Sequence, residues 1–575
     1  MTIQEAFTLA LARHQSGDFP EAEKLYRQIL AVQPNNADCL TLLGVIAHQT
    51  GQHATAIELI SKAITLDPNA ARHHQHLGLA LHGAGRFDDA IGAYRRALEL
   101  NPNSAEAHSN LGQSLIKSGR ATEALAAFRR AVAINPNLPD AQNNLGSALA
   151  AGGKGEEAIR HFRTAIRLSP RHADALSNLA LALCREGDPD AAVTCCQSAL
   201  AIRPNHVDAR NHLGIALRTQ GKLDDAIALF ETILAANPNH PDTLNNLGNA
   251  FMARRDLPQA EKYFRAALAA RPDHASSHWN LGLLLLTQGD YERGLPLYEW
   301  RRKVPGLGAS GRLPGIEWDG CDLAGRRILV HAEQGFGDCL QCARYIPLLA
   351  QRGAKIVLAI PAELTRLLKC LPNVEHLMTL NDSLPAFDLH CPIMSLPSLF
   401  KTTLSTIPRT IPYLKADPEL KTRWQSRLPR DGRLKVGIVW LGRKKPDPHR
   451  TIPPAELSVL SKLEGIWFCS LQKPPSEPPP GLPLTDFGSE IADFADTAAL
   501  MENLDLIISI DTSVAHLAGA LGRPTWVLLK DVPDWRWLLD RPDSPWYPTM
   551  RLFRQPAPGD WKTPIAQIAN ELSRR

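Results

Sequence analysis

Three short stretches of the chain carry residues able to do chemistry. Gly335-Phe336-Gly337-Asp338 joins the apolar run RRILVHA to a helical pattern, CLQCARYIPLLAQRG. The two glycines permit a tight turn and close approach of a ligand to the backbone, and a helix start favours an anionic group. A carboxylate there opposes a phosphate, so Asp338 is better suited to taking a proton from a hydroxyl, with helix N-capping the plain alternative. The loop WLGRKKPDPHRTIP places Arg443, Lys444, Lys445, His449 and Arg450 after a second apolar run. Such a positive loop suits a diphosphate leaving group, and solvated surface charge is its plain alternative. The third stretch, LDLIISIDTSVAHLAGALGRP, runs a buried strand into a small-residue helix, with Asp511, Thr512 and Ser513 at the joint and His516 one turn on. The hydroxyls and helix-start amides can hold phosphate oxygens, and Ala515, Ala518, Gly519 and Ala520 keep the helix slim.

The elements that must position these residues fill residues 325–575. Apolar runs alternate with amphipathic ones: RRILVHA, AKIVLAIP, VEHLMTL and DLHCPIMSLP, then, after a polar stretch near 415–432, LKVGIVWLG, IWFCSLQK, the strand ending at Asp511, and TWVLLK. Helices are expected near 339–353, 362–370, 453–463 and 493–504. This alternation predicts parallel sheets with crossover helices, arranged as two Rossmann-like lobes with a cleft at the carboxyl ends of their strands. The turn at 335–338 is not a dinucleotide fingerprint, because Leu340 stands where the third glycine belongs. That weighs against a nicotinamide-dependent oxidoreductase.

The first half has a different period. Leu43, Leu77, Leu111, Leu145, Leu179, Leu213, Leu247 and Leu281 are spaced by 34, as are Pro34 to Pro272 and Ala22 to Ala260. An aromatic four residues after the alanine recurs at Tyr26, Tyr94, Phe128, Phe162, Phe230 and Phe264, and at Tyr298, where Gly294 stands in the alanine's place. This period and set of columns resemble the tetratricopeptide repeat (TPR), implying about nine helix pairs from residue 3 to 303 in a superhelix. Just before the Leu-Gly or Leu-Ala from the second of these leucines on stand Asn110, Asn144, Asn178, Asn246 and Asn280, with His76 and His212 in intervening frames. A ladder of carboxamides offers donors and acceptors to an extended peptide, and tolerance of Asn in repeat helices is the plain alternative. Similar ladders in the TPR regions of O-GlcNAc transferase and peroxisomal import receptors bind peptides. The expected organisation is a TPR array at 1–303, a Gly/Pro-rich linker at 304–324, a first lobe and interlobe segment at 325–432, and a second lobe with a C-terminal helix at 433–575.

Composition narrows the function classes. The 575 residues are 44% hydrophobic and 21% charged with a formal net charge of +4, nearly neutral at this size, and no Lys/Arg run marks a nucleic-acid face. The start MTIQEAFTLALARHQ lacks the basic and apolar segments of a signal peptide, and no apolar run spans a bilayer. A cytoplasmic protein is expected, with peripheral membrane contact left open. The ten cysteines have no regular frame and fit free thiols. Cys339-x-x-Cys342 is read as core packing, and His73, His74 and His76 lie on different helix faces, so no metal site is expected.

The GFGD turn, the DTSVAHLAGALGRP element and the positive loop together resemble the heptosyltransferases and other glycosyltransferase family 9 proteins. Bacterial proteins that join TPR repeats to such a domain are similar over essentially the whole chain, including DFADTAAL, PDWRW and SPWYP. The resemblance implies a GT-B fold and an inverting, metal-independent transfer from a nucleotide sugar, a co-substrate rather than a bound cofactor. Within that family Asp338 matches the proposed base, with Gly335 and Gly337 beside it. Lys444 or Lys445 matches a phosphate-contacting lysine, Asp511, Thr512 and Ser513 the donor-contacting turn, and His516 a histidine facing the sugar or its phosphate. The first lobe is shorter than in heptosyltransferases, and the loop after Trp440 lacks the Gly-Asn-Pro of the nearest relatives. The expectation is a glycosyltransferase acting on a protein or peptide held by the TPR groove. A non-catalytic TPR scaffold with a degenerate glycosyltransferase-like domain is the alternative.

Overall fold

The 34-residue period sets a hinge at every turn between paired helices. Gly17, Gly51, Gly85, Gly119, Gly153, Gly187, Gly221 and Gly289 all have φ between +75° and +87°, and Arg255 takes the same place at +64°. In the computed structural model, which describes residues 2–305, 307, 313, 315–442, 448–474 and 476–575, eighteen helices run from Ile3–Gln15 to Tyr291–Tyr298 among the described residues. They form nine consecutive pairs, as the period predicts. The glycine of each Leu-Gly serves packing: a Cβ on Gly78, Gly112, Gly146 or Gly248 would lie 2.6, 2.5, 2.7 or 2.6 Å from the ring of Tyr94, Phe128, Phe162 or Phe264. Sixteen residues apart, glycine and aromatic are one device, which brings the two helices of a pair together over a buried ring.

The chain divides into two compact units, 1–216 and 217–575. The first consists of repeat helices. The second begins with repeat helices and continues into two parallel sheets. Strands β1 (Ile316–Glu317), β2 (Arg327–His331), β3 (Lys355–Ile360), β4 (Val374–Thr379) and β5 (Leu389–Pro392) form one sheet in the order β1-β5-β2-β3-β4. Strands β6 (Leu434–Val439), β7 (Ile466–Ser470), β8 (Leu484–Asp486), β9 (Leu506–Ile510), β10 (Thr525–Leu529) and β11 (Met550–Arg554) form the other, in the order β11-β10-β9-β6-β7-β8. Every strand pair is parallel. In each sheet the chain builds outward from its first long strand, then returns to that strand's other side. The strand order therefore reverses between β2 and β5 and again between β6 and β9. Ligands in open parallel sheets bind at such reversals, beyond the carboxyl ends of the strands.

Several elements differ from expectation. The helix expected over 339–353 is three pieces, Phe336–Cys342, a 3₁₀ turn Ala343–Tyr345, and Ile346–Gln351. Pro347 has no N–H to extend the first piece, and Arg344 turns inward to the carbonyls of Pro408 and Trp546 at 3.2 and 2.8 Å. The segment expected as helix near 453–463 is 3₁₀ over Pro454–Lys462, and the polar stretch 415–432 contains the helix Pro418–Gln425.

The expected linker at 304–324 follows a helix pair already built into the α/β core. Leu286, Tyr291, Leu295 and Tyr298 belong to one continuous apolar cluster that runs through both sheets to Leu572. Tyr291 accepts a hydrogen bond from Trp546 Nε1 at 2.9 Å. Arg301, fully buried, bonds Glu299 at 2.7 Å, Glu333 at 2.5 Å and Ser395 Oγ at 3.0 Å.

Candidate functional site

The two reversal points meet. The turn after β2 starts the helix Phe336–Cys342, and the turn after β9 starts the helix Ser513–Ala520. These helices touch at Gly337, where a Cβ would lie 2.8 Å from His516 Cδ2 and 3.6 Å from Ser513 Cα. Gly337 thus makes room for the opposite lobe. Gly335 caps its helix, its N–H donating to Asp338 Oδ2 at 2.9 Å.

Asp338, with 19% of its side chain exposed, receives a second bond on its other oxygen. Arg536 Nη2 donates to Asp338 Oδ1 at 2.5 Å, and Arg536 Nη1 to Asp534 Oδ1 at 2.8 Å. Arg536 Nε donates to Gln341 Oε1. Burial pushes the Asp338 carboxyl above its ordinary value, while the Arg536 guanidinium pulls the other way. Arg536 sits in the 3₁₀ turn Trp535–Trp537, within the PDWRW motif. Nothing in its spacing marks it as a partner of a residue 198 positions earlier; the signal in the sequence is an arginine flanked by two tryptophans, a combination that needs a buried acceptor.

His516 is buried and uncharged. Its Nδ1 shares a 2.9 Å hydrogen bond with Tyr547 Oη, and its ring stacks on Trp537 at 5.4 Å between centroids. Burial lowers its pKa to about 3, helped by Arg536. A neutral imidazole supplies a hydrogen bond and a surface, and no positive charge for a phosphate. The small residues of the helix Ser513–Ala520 are also occupied from within: a Cβ on Gly519 would lie 2.3 Å from Tyr547 Cδ1. The slimness expected to admit a ligand admits Tyr547.

Asp511, Thr512 and Ser513 are partly exposed at the end of β9. Thr512 caps the helix by position without a side-chain capping bond, and its hydroxyl lies 3.3 Å from Ser509 Oγ. Burial and the nearby Asp534 carboxylate raise the Asp511 pKa to about 6. Across the reversal, Arg450 Nη1 donates to the Asp511 carbonyl at 3.2 Å. Gly442 lies against Arg450, whose Nε would be 2.7 Å from a Cβ at that position. Lys444 and Lys445 lie outside the described residues.

Cys339 and Cys342 are both buried in their helix, and burial raises both thiols. Among the described residues no group of three or more His, Cys, Asp or Glu side chains is arranged to hold a metal ion. Nor is any helix among them long and apolar enough to cross a membrane.

The asparagine column links neighbouring repeats. Asn144 Nδ2 donates to Ser109 Oγ at 3.1 Å, Asn178 Nδ2 to Asn143 Oδ1 at 2.9 Å, and Asn280 Nδ2 to Asn245 Oδ1 at 2.9 Å. His212 takes the same place, 2.8 Å from Ser177 Oγ. Asn144, Asn178 and Asn280 therefore each spend an N–H on the previous repeat, and Asn178 Nδ2 also lies 3.3 Å from Ser147 Oγ. Asn110, Asn144 and Asn178 are partly exposed, and Asn280 is buried. Asn246 is also partly exposed.

Tetratricopeptide-repeat models match residues 7–71, 77–139 and 245–306, with further repeat models at 146–187 and 171–239. The N-terminal ~300 residues are TPR repeats, an architecture that supports a protein-interaction scaffold. The chain is 28% identical over 322 residues to Protein FlbA of Caulobacter vibrioides, which covers 50% of this chain and 53% of FlbA. It thus spans about half the length of that curated relative. Among solved structures, it is similar to the APC/C hetero-tetramer Cut9-Hcn1, at 18% identity over 46% of this chain and 52% of that one, with a TM-score of 0.40. It is also similar to YrrB, described as a TPR protein with an unusual peptide-binding site, at 24% identity over 32% of this chain and 96% of that one, with a TM-score of 0.25.

Proposed function

We propose that the chain is a glycosyltransferase of GT-B type whose TPR repeats present a protein or peptide acceptor. The observation that carries this reading is the convergence of two strand-order reversals on one set of groups. Asp338 stands on one side, and Asp511, Thr512, Ser513 and Arg450 stand on the other. The donor's diphosphate lies against the β6 and β9 ends, held by helix-start amides, the Thr512 and Ser513 hydroxyls and the Arg450 guanidinium. The acceptor hydroxyl attacks the anomeric carbon from the β2 side and gives its proton to Asp338. The bond from that carbon to the diphosphate oxygen breaks, and its electron pair leaves with the nucleoside diphosphate. Burial, which raises the Asp338 carboxyl, makes it a stronger base than an exposed aspartate.

The test is a screen of nucleoside-diphosphate sugars for stabilisation of the full chain, followed by transfer assays. Asp338→Asn should lower turnover by about 10²–10⁴-fold while donor binding persists. Thr512→Ala should weaken donor binding by about tenfold, the worth of one hydrogen bond to a charged group. A chain that binds no nucleotide or nucleotide sugar is not a glycosyltransferase.

One observation favours a non-catalytic scaffold. Both Asp338 oxygens are already engaged, and the lobes are in contact at Gly337 and His516. On that reading Asp338 is a helix cap and ion-pair partner, and its replacement costs stability alone.

A further inference from the structure

Among the described residues, Arg536 is the guanidinium hydrogen-bonded to the candidate base. Its Nη2, Nη1 and Nε donate to Asp338, Asp534 and Gln341. Three features set it apart from a structural ion pair. It belongs to the second lobe while Asp338 belongs to the first, so the bond crosses the two reversal points. Its Asp338 partner is partly open, at 19% exposure, whereas Arg301 and Glu333 in the neighbouring structural pair are at 0% and 2%. Finally, its site holds three carboxylates, Asp338, Asp534 and Asp511, two of them clustered closely enough that Asp534 helps raise the Asp511 pKa. A site that crowds acids at the mouth of two parallel sheets accepts a doubly charged leaving group more readily if a cation beside Arg450 is redirected towards it.

We propose that Arg536 is a shared ligand, held by Asp338 when the site is empty and transferred to the diphosphate when a nucleoside-diphosphate sugar binds. This rests on the glycosyltransferase reading and deepens it. The carboxylate of Asp338 and a diphosphate oxygen compete for the same N–H groups, because both are planar or tetrahedral oxyanions that accept two donors from a guanidinium. Binding the donor removes the Asp338–Arg536 bond, which leaves Asp338 Oδ1 without its donor and able to take the acceptor proton. The Asp534 bond to Nη1 stays and keeps the guanidinium oriented. The arrangement withholds the base until the leaving group is in place.

The competition is read from two changes together: removing the carboxylate's charge should tighten binding of a diphosphate, and altering the guanidinium should weaken it. Calorimetric titration of the full chain with inorganic pyrophosphate, ADP and UDP, at fixed ionic strength, reads this directly. Asp338→Asn should bind pyrophosphate and a nucleoside diphosphate about three- to tenfold more tightly than the unmodified chain, and Arg536→Lys about tenfold or more weakly. Arg536→Gln should weaken binding further; should it fail to fold, Asp338→Asn and Arg536→Lys still decide. If a nucleoside diphosphate binds but neither Asp338→Asn nor Arg536→Lys changes its affinity, Arg536 is structural and the inference falls while the glycosyltransferase reading stands. If no probe binds the unmodified chain or Asp338→Asn, both fall.

Discussion

His516 shows how much a residue's role depends on what is packed against it. In isolation its pKa is near 6.5; buried between Trp537, Tyr547 and Gly337 it falls to about 3. Unfolding between those values takes up a proton, so stability from this group is fully present above pH 6.5 and is lost as pH falls towards 3. His331, which burial lowers to about 4, acts in the same direction. Asp511, raised to about 6, acts in the opposite one: the folded chain holds its proton, and this contribution disappears as pH rises from 3.8 through 6. Each proton is worth about 1.4 kcal/mol per pH unit within its window. Denaturant midpoints should therefore fall on acidification below pH 6.5, and His516→Gln should reduce the slope by about one proton. An unchanged slope would mean that His516 is solvated.

At the scale of the element, the repeat is the most legible part of the chain. Its 34-residue columns announce nine pairs, and the glycine–aromatic contact gives the physical reason for two of those columns. Gly248→Ala should cost about 1–3 kcal/mol through overpacking against Phe264, measured by chemical denaturation. The asparagine column was legible as a pattern but not as a structure. Its bonds to the previous repeat span 35 residues, and one helix face cannot reveal its partner. Asn178→Ala should lower stability by about 0.5–1.5 kcal/mol before any peptide is added; no loss would leave ligand contact as the column's role. In the sheets, long buried strands were readable from continuous apolar runs, while β1, β8 and β11 were not. β1 and β8 have two and three residues, too few to show a period. The motif turns were also readable, as was the alternation that places them at strand ends. Arg536 was not, because an ion pair between residues 338 and 536 exists only once both sheets are built.

For the whole molecule, the boundary drawn by composition near residue 304 is not the one drawn by packing. Tyr291, Tyr298 and Arg301 are inside the α/β core, and Arg301 is the counter-charge of the buried Glu333. A fragment starting at residue 304 should lose cooperative unfolding, because it exposes that core and leaves Glu333 unpaired. A fragment starting at 221, in the turn before the helix Leu223–Ala236, should retain a single transition in a circular-dichroism melt. Equal melting of the two fragments would show that the last repeats are passengers.

Arg255, the one non-glycine among the nine inter-helix turns of the repeats, bears on how such a chain could change length. It keeps the left-handed turn and bonds Asp540 at 2.7 Å, so the eighth repeat is addressed to one place on the second lobe. Whole repeats could be gained or lost by duplication within residues 1–216 without disturbing that address. The same event between the eighth and ninth pairs would move Arg255 one repeat away from Asp540. The array is therefore open to growth ahead of its eighth pair and closed to it between the eighth and the ninth, and its history of insertion and loss should be written before residue 241.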